Sequence, residues 1–274
     1  MKKKIETILC IVLFVALIIV LGLGVYKSKE QSKSHQERKK QYESSIKSSQ
    51  SSESNKEEEA DKAVDEKKEE KKEESFEGKV LLSLGDGVAK TGNYESKIKE
   101  NLSMGEAING ANNGLLLKTI ITSVTSDDLK KSNIVLVNVG INDYTKNTII
   151  GNREDNKDAD TYCGNIRFII NSIKEANSDA EIVFMTPLKH GNIEGQASYP
   201  NPNNIGIKLD DYASAVIDVC KAEQVPVIDL FKESGIESDN ISKYSDNQLN
   251  LNEEGSKKVA DFISEKLKSI QGEN

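Results

Sequence analysis

The hydrophobic pattern changes character twice along the chain. Residues 8–25 form an unbroken apolar run behind Lys2, Lys3 and Lys4. A helix crossing a hydrocarbon core needs about 20 such residues, so the run predicts an uncleaved transmembrane signal anchor. A cleaved leader would have a shorter apolar core followed by an A-x-A-like site. The leading lysines orient the anchor N-in and C-out, although Lys27, Lys29 and Lys33 follow it. From residue 27 to 75 the chain is Ser, Lys and Glu with almost no apolar positions. Such a segment cannot bury enough surface to offset chain entropy, and it predicts a disordered, solvated stalk. The organisation expected is therefore 1–26 tip and anchor, 27–75 stalk, and 76–274 folded domain.

In the third segment short apolar runs alternate with amphipathic stretches. KVLLSLG (79–85), NIVLVNVG (133–140), AEIVFMTP (180–187) and VPVIDL (225–230) read as buried parallel strands, with a shorter one around 107–110. Residues 114–124, 162–176, 210–223 and 256–270 have helical spacing. Ile166, Ile169, Ile170 and Ile173 make one stripe of the second of these. This alternation predicts an α/β fold, a doubly wound parallel sheet with helices on both faces. Sites in such sheets form at the carboxyl ends of the strands. Four loops rich in Gly, Asn and Asp start there, at Gly85-Asp86-Gly87, Asn109-Gly110, Gly140-Ile141-Asn142-Asp143 and Thr186-Pro187.

Composition narrows the chemistry. The net charge of −8 over 274 residues argues against nucleic acid as a partner, because phosphate binding wants a basic face. The cysteines are Cys10, Cys163 and Cys220, and the histidines are His35 and His190. No metal-ligand spacing exists among them, and no cofactor is expected. Cys163 and Cys220 read as buried helix residues, with a bridge between them left open. Asp155, Asp158 and Asp160 lack the alternation of a calcium loop and read as a polar connection with a helix cap.

Four sequence blocks then carry a resemblance. Gly85-Asp86-Gly87 follows the first strand, Gly114 follows the second, and Gly140-Ile141-Asn142-Asp143 follows the third. Asn252-Glu253-Glu254-Gly255 opens the last helix. In order and spacing these residues resemble the SGNH (GDSL-like) hydrolases over most of 79–270. The resemblance implies a flavodoxin-like three-layer α/β sandwich. It also implies a serine nucleophile at Gly87, an acid at Asn247 and a histidine base at Asn250. Oxyanion donors are implied at Gly87 N–H, Gly114 N–H and the Asn142 side chain.

The three implied catalytic positions are all substituted. Glycine has no hydroxyl, and a carboxamide is not a general base near neutral pH. Two readings stand. The first is a pseudoenzyme, a membrane-anchored extracytoplasmic domain at the cell envelope that binds a cell-surface glycan, an acyl group or a protein partner through Gly87, Gly114 and Asn142. The second is an active esterase or acyltransferase on O-acylated envelope carbohydrate or lipid, with relocated groups. His190 is its candidate base, although a surface loop position is the plainer expectation for this histidine. Asp86 as nucleophile and Asp246 as acid are weaker candidates. The long loop after the fourth strand, with Pro200 and Pro202, is a candidate lid.

Overall fold

A computed structural model describes residues 75–273. The predicted anchor and nearly all of the predicted stalk lie outside these residues. Among the described residues no helix is long and apolar enough to cross a membrane.

Five strands, β1 (Val80–Gly85), β2 (Glu106–Asn109), β3 (Ile134–Asn138), β4 (Glu181–Met185) and β5 (Val227–Ile228), form one sheet in the order β2-β1-β3-β4-β5. All four pairings are parallel. This is the flavodoxin-like order, and it puts a topological switch point beside β1. Leu81, Leu82, Leu84 and Ile134 through Val137 are almost completely buried, because helices cover both faces of the sheet and leave neither one polar. Each such aliphatic side chain contributes about 1.5–3 kcal/mol relative to exposure.

The helices are α1 (Gly87–Gly92), α2 (Tyr94–Leu102), α3 (Ser126–Lys131), α4 (Ile141–Thr145), α5 (Tyr162–Ala176), α6 (Leu209–Ala222), α7 (Leu230–Glu233), α8 (Ile241–Tyr244) and α9 (Glu253–Glu273). α9 packs on α2, whereas α5 packs on α6 and on a 3₁₀ helix at Leu117–Ser123. The expected isoleucine stripe of α5 is buried in full. Cys163 and Cys220 are buried free thiols.

Three expectations change. The helix predicted for 114–124 is this shorter 3₁₀ helix. β-branched Thr119, Ile120, Ile121 and Thr122 favour α-helix poorly, and Ser123 Oγ donates to Gly110 O and Ile120 O. The strand predicted for 225–230 shrinks to two residues because Asp229 caps α7, accepting from Lys232 N. The cap of α5 is Thr161, which accepts from Gly164 N, with Asp155 accepting the Thr161 hydroxyl at 2.8 Å.

The candidate lid is tied down at several points. Tyr144 Oη donates to Asn201 O at 2.7 Å, and Asn203 Nδ2 donates to Tyr144 O at 2.9 Å. At the start of this segment the fully buried Thr186 donates to Asp229 Oδ1 at 2.9 Å and accepts from Phe231 N at 2.8 Å. Thr186→Val keeps the shape and removes both bonds. It is expected to cost about 1–3 kcal/mol, read as a lower urea midpoint at unchanged m-value.

Candidate functional site

The site grows from the end of β1. Gly85 pairs with Asn138 of β3, and the chain then turns sharply into α1. Asp86 is the N-cap, its carboxyl accepting from Val88 N at 3.0 Å. Gly87 opens the helix. The loop after β2 is laced to the same strand: Gly110 N donates to Ser83 O and Asn112 N donates to Gly85 O. This brings Asn113 beside Gly87.

A Cβ at Gly87 would lie 3.2 Å from Asn113 Oδ1 and 3.4 Å from Asn250 Oδ1. Thus the position implied for the nucleophile faces the position implied for the base across hydrogen-bonding range, with a glycine and an asparagine in those places. Asn250 Oδ1 is buried and has no hydrogen-bond partner among the described residues. Asn247 stands behind it. Its Oδ1 accepts from Asn250 N at 2.7 Å and Leu249 N at 3.2 Å, and from the Ser245 hydroxyl at 3.2 Å. It is a turn-maker, and the Ser245–Leu251 bridge closes the loop that carries both asparagines.

Asn142 and Asp143 meet the site indirectly. Asn142 Nδ2 donates to Leu115 O at 3.0 Å, and Asp143 Oδ2 accepts from Leu117 N at 3.1 Å. Together they clamp the segment that follows Gly114. Gly114 has φ +74°, and a Cβ there would meet nothing within 4 Å, so its backbone is open to a ligand. Sequence reasoning did not single out Asn113. Its only signal is its place next to Gly114.

His190 is not a surface residue. It is fully buried, with Nδ1 2.8 Å from Gly191 O, Nε2 without a partner among the described residues, and its ring 6.0 Å from that of Tyr144. Burial pushes its pKa below the usual imidazole value. The three atoms nearest to a Cβ at Gly87 belong to Asn113 and Asn250, so the imidazole does not occupy the base position. Asp246 is exposed. Among the described residues no cluster of His, Cys, Asp and Glu could hold a metal ion.

Two carboxyls lie buried behind the rim. Burial, reinforced by the charge of Asp143, pushes Asp86 up to about 7 against the opposing Val88 N–H bond. Burial likewise pushes Asp143 up to about 6. Burial also raises Glu95 of α2. A carboxyl whose pKa is higher in the fold than in the open chain retains its proton in the fold. Its contribution is fullest at acid pH and is lost as pH rises toward the folded value. Stability is therefore expected to fall from about pH 4 to pH 7. Asp86→Asn, which can still cap Val88 N, should flatten that slope in urea titrations run across the range. An unchanged slope would mean that Asp86 is ionised throughout.

The family model of the GDSL-like lipase/acylhydrolase family matches residues 83–258. Comparison with curated proteins finds no match. Among solved structures, a protein from Lactobacillus plantarum is 19% identical with TM-score 0.63, covering 70% of this chain and 98% of its own. A possible lipase from Chitinophaga pinensis is 20% identical with TM-score 0.58, covering 70% and 98%. A lipase/acylhydrolase from Enterococcus faecalis is 16% identical with TM-score 0.51, covering 70% and 96%. At these identities the structures speak for the fold, and the family model speaks for the lineage. With its four blocks ranged along one edge of a flavodoxin-like sheet, the chain belongs to the GDSL-like (SGNH) lipase/acylhydrolase family.

Proposed function

We propose that this chain is a non-catalytic member of its family, a binding domain displayed outside the cell membrane. The anchor at 8–25 and the charged stalk would hold it there, and its ligand would be a surface glycan, an acyl group or a protein partner. One observation carries the reading: Gly87 and Asn250 face each other where ester chemistry needs a hydroxyl and a base. Serine-type acyl transfer begins when a base takes the proton of a hydroxyl in hydrogen-bond contact. Here the frame that would align the two is intact, with neither group present. The burial of His190 and its bond to Gly191 O speak against its acting as a relocated base.

The test is turnover of short-chain aryl esters by the purified chain. No hydrolysis above the solvent rate is expected, and His190→Ala should change nothing. Enzymatic turnover that Asn113 or His190 variants abolish would refute the proposal. The frame itself can be probed by Gly87→Ser, Asn247→Asp and Asn250→His in one protein. Position 87 is helical without a left-handed φ, and its nearest neighbours are side-chain tips, so a serine is accommodated once the Asn113 carboxamide yields by a few tenths of an ångström. The carboxylate introduced at position 247 would accept the same backbone bonds that the Asn247 carboxamide accepts now. Weak esterase activity is expected from the triple variant, with none from any single replacement, since triad members act as a unit.

A further inference from the structure

We propose that Asn113-Gly114 is a self-modifying site, at which the backbone displaces the Asn113 carboxamide nitrogen with water as the only co-reactant. The sequence holds two Asn-Gly pairs, Asn109-Gly110 and Asn113-Gly114. In such a pair the glycine nitrogen can reach the carboxamide carbon, because glycine turns freely and carries no side chain to hinder the approach. The fold restrains the first pair and leaves the second free.

Asn109 is registered against Ser83 in the parallel ladder, and its Oδ1 accepts from Ala111 N at 3.1 Å. Gly110 is buried among Val124, Leu82 and Leu84, and its N–H donates to Ser83 O at 2.9 Å. Attack by this nitrogen would first have to break a buried hydrogen bond. Asn113 and Gly114, by contrast, are both exposed and lie in a turn. Among the described residues neither the Asn113 carboxamide nor the Gly114 N–H makes a hydrogen bond. Gly114 has φ +74° and open space where a Cβ would lie, so nothing obstructs ring closure. The chain is pinned on either side, with Asn113 N donating to Asn112 Oδ1 and Leu115 O accepting from Asn142 Nδ2.

The reaction balances without an oxidant or a catalyst. The Gly114 nitrogen attacks Asn113 Cγ. The N–Cγ bond forms, the Cγ–Nδ2 bond breaks, and Nδ2 leaves as ammonia with the proton that Gly114 N gives up. Water then opens the cyclic imide at either carbonyl. Opening at Cγ leaves an aspartate, and opening at the main-chain carbonyl leaves an isoaspartyl linkage with one more methylene in the backbone. Both products replace a neutral carboxamide by a carboxylate, ionised at neutral pH. Asn113 Oδ1 lies 3.2 Å from the Cβ position of Gly87, so the new charge appears beside the candidate site. The rim therefore has two chemical states, neutral in the newly made chain and anionic in the aged one. The second disfavours an anionic ligand, since like charges brought together are costly.

The two pairs can be compared within one peptide. Trypsin cuts after Lys99 and Lys118, and the fragment 100–118 carries both. The detergent-solubilised full chain is aged in heavy-oxygen water, folded or unfolded in urea, at neutral and at mildly alkaline pH. After a brief digestion below neutral pH, electron-transfer fragmentation assigns each modified residue and separates aspartyl from isoaspartyl. In the folded chain Asn113 is expected to deamidate at least about tenfold faster than Asn109, the effect of one buried hydrogen bond. The rate should rise with pH, because the attacking nitrogen must lose its proton, and urea should bring the two rates together. Isoelectric focusing of the aged chain should show a first acidic band that Asn113→Gln lacks, since glutamine would have to close a larger ring. A smaller ratio in the folded chain, or an Asn113 that stays intact while the unfolded chain reacts, would overturn the proposal. So would a first acidic band that Asn113→Gln retains.

Discussion

The end of β1 is walled on two sides. A Cβ at Gly85 would sit 2.4 Å from the Ala89 Cβ and 3.2 Å from Asn138 O. Only a bare backbone lets α1 fold back onto its own strand this tightly while β3 stays in register. That approach sets where Asp86 and Gly87 lie. Parallel pairing then carries the alignment across the sheet, from Gly85 to Asn138, Met185 and Ile228. The strands end on one line, and the loops that follow them share one rim.

The motif residues serve this geometry whether or not any reaction takes place. Asn142 and Asp143 hold the backbone at Leu115 and Leu117, so that Gly114 and Asn113 stay beside Gly87. Asn247 organises the turn that delivers Asn250. Asn252 caps α9, accepting from Gly255 N, while its side-chain amide donates to Lys243 O. Among the motif residues, Asn142, Asp143, Asn247 and Asn252 are backbone clamps. The positions that the family resemblance implies for nucleophile, acid and base carry Gly87, Asn247 and Asn250.

The strands were legible because a sheet covered on both faces requires continuous apolar runs, as at 134–137 and 182–185. α5 and α6 were legible for the related reason that one of their faces is buried. α1 and α2 were not foreseen. Residues 87–102 are mostly polar, and their core contacts come from Val88, Ala89 and then Tyr94, Ile98 and Leu102, four residues apart across a Gly92-Asn93 break. Gly87, Gly114, Asn142, Asn247 and Asn250 were singled out in the sequence by its resemblance to the family's blocks. The indirect role of Asn142 was not, because the bond to Leu115 O depends on how two distant loops meet. Nor was the burial of His190. A histidine in a polar loop gives no periodic signal, and only the packing of that loop on Tyr144 and Gly191 encloses it.

The open turn at Gly87 has a consequence for how such proteins diverge. The backbone there is ordinary helix, and the surrounding clamps make no use of a side chain at that position. A serine there would need the Asn113 and Asn250 carboxamide tips to yield by a few tenths of an ångström. On the proposed reading, catalyst and receptor would be neighbouring sequences on one scaffold, separated by a few substitutions. Fold likeness within this lineage consequently says little about turnover, and the deciding information lies in the identity of three side chains.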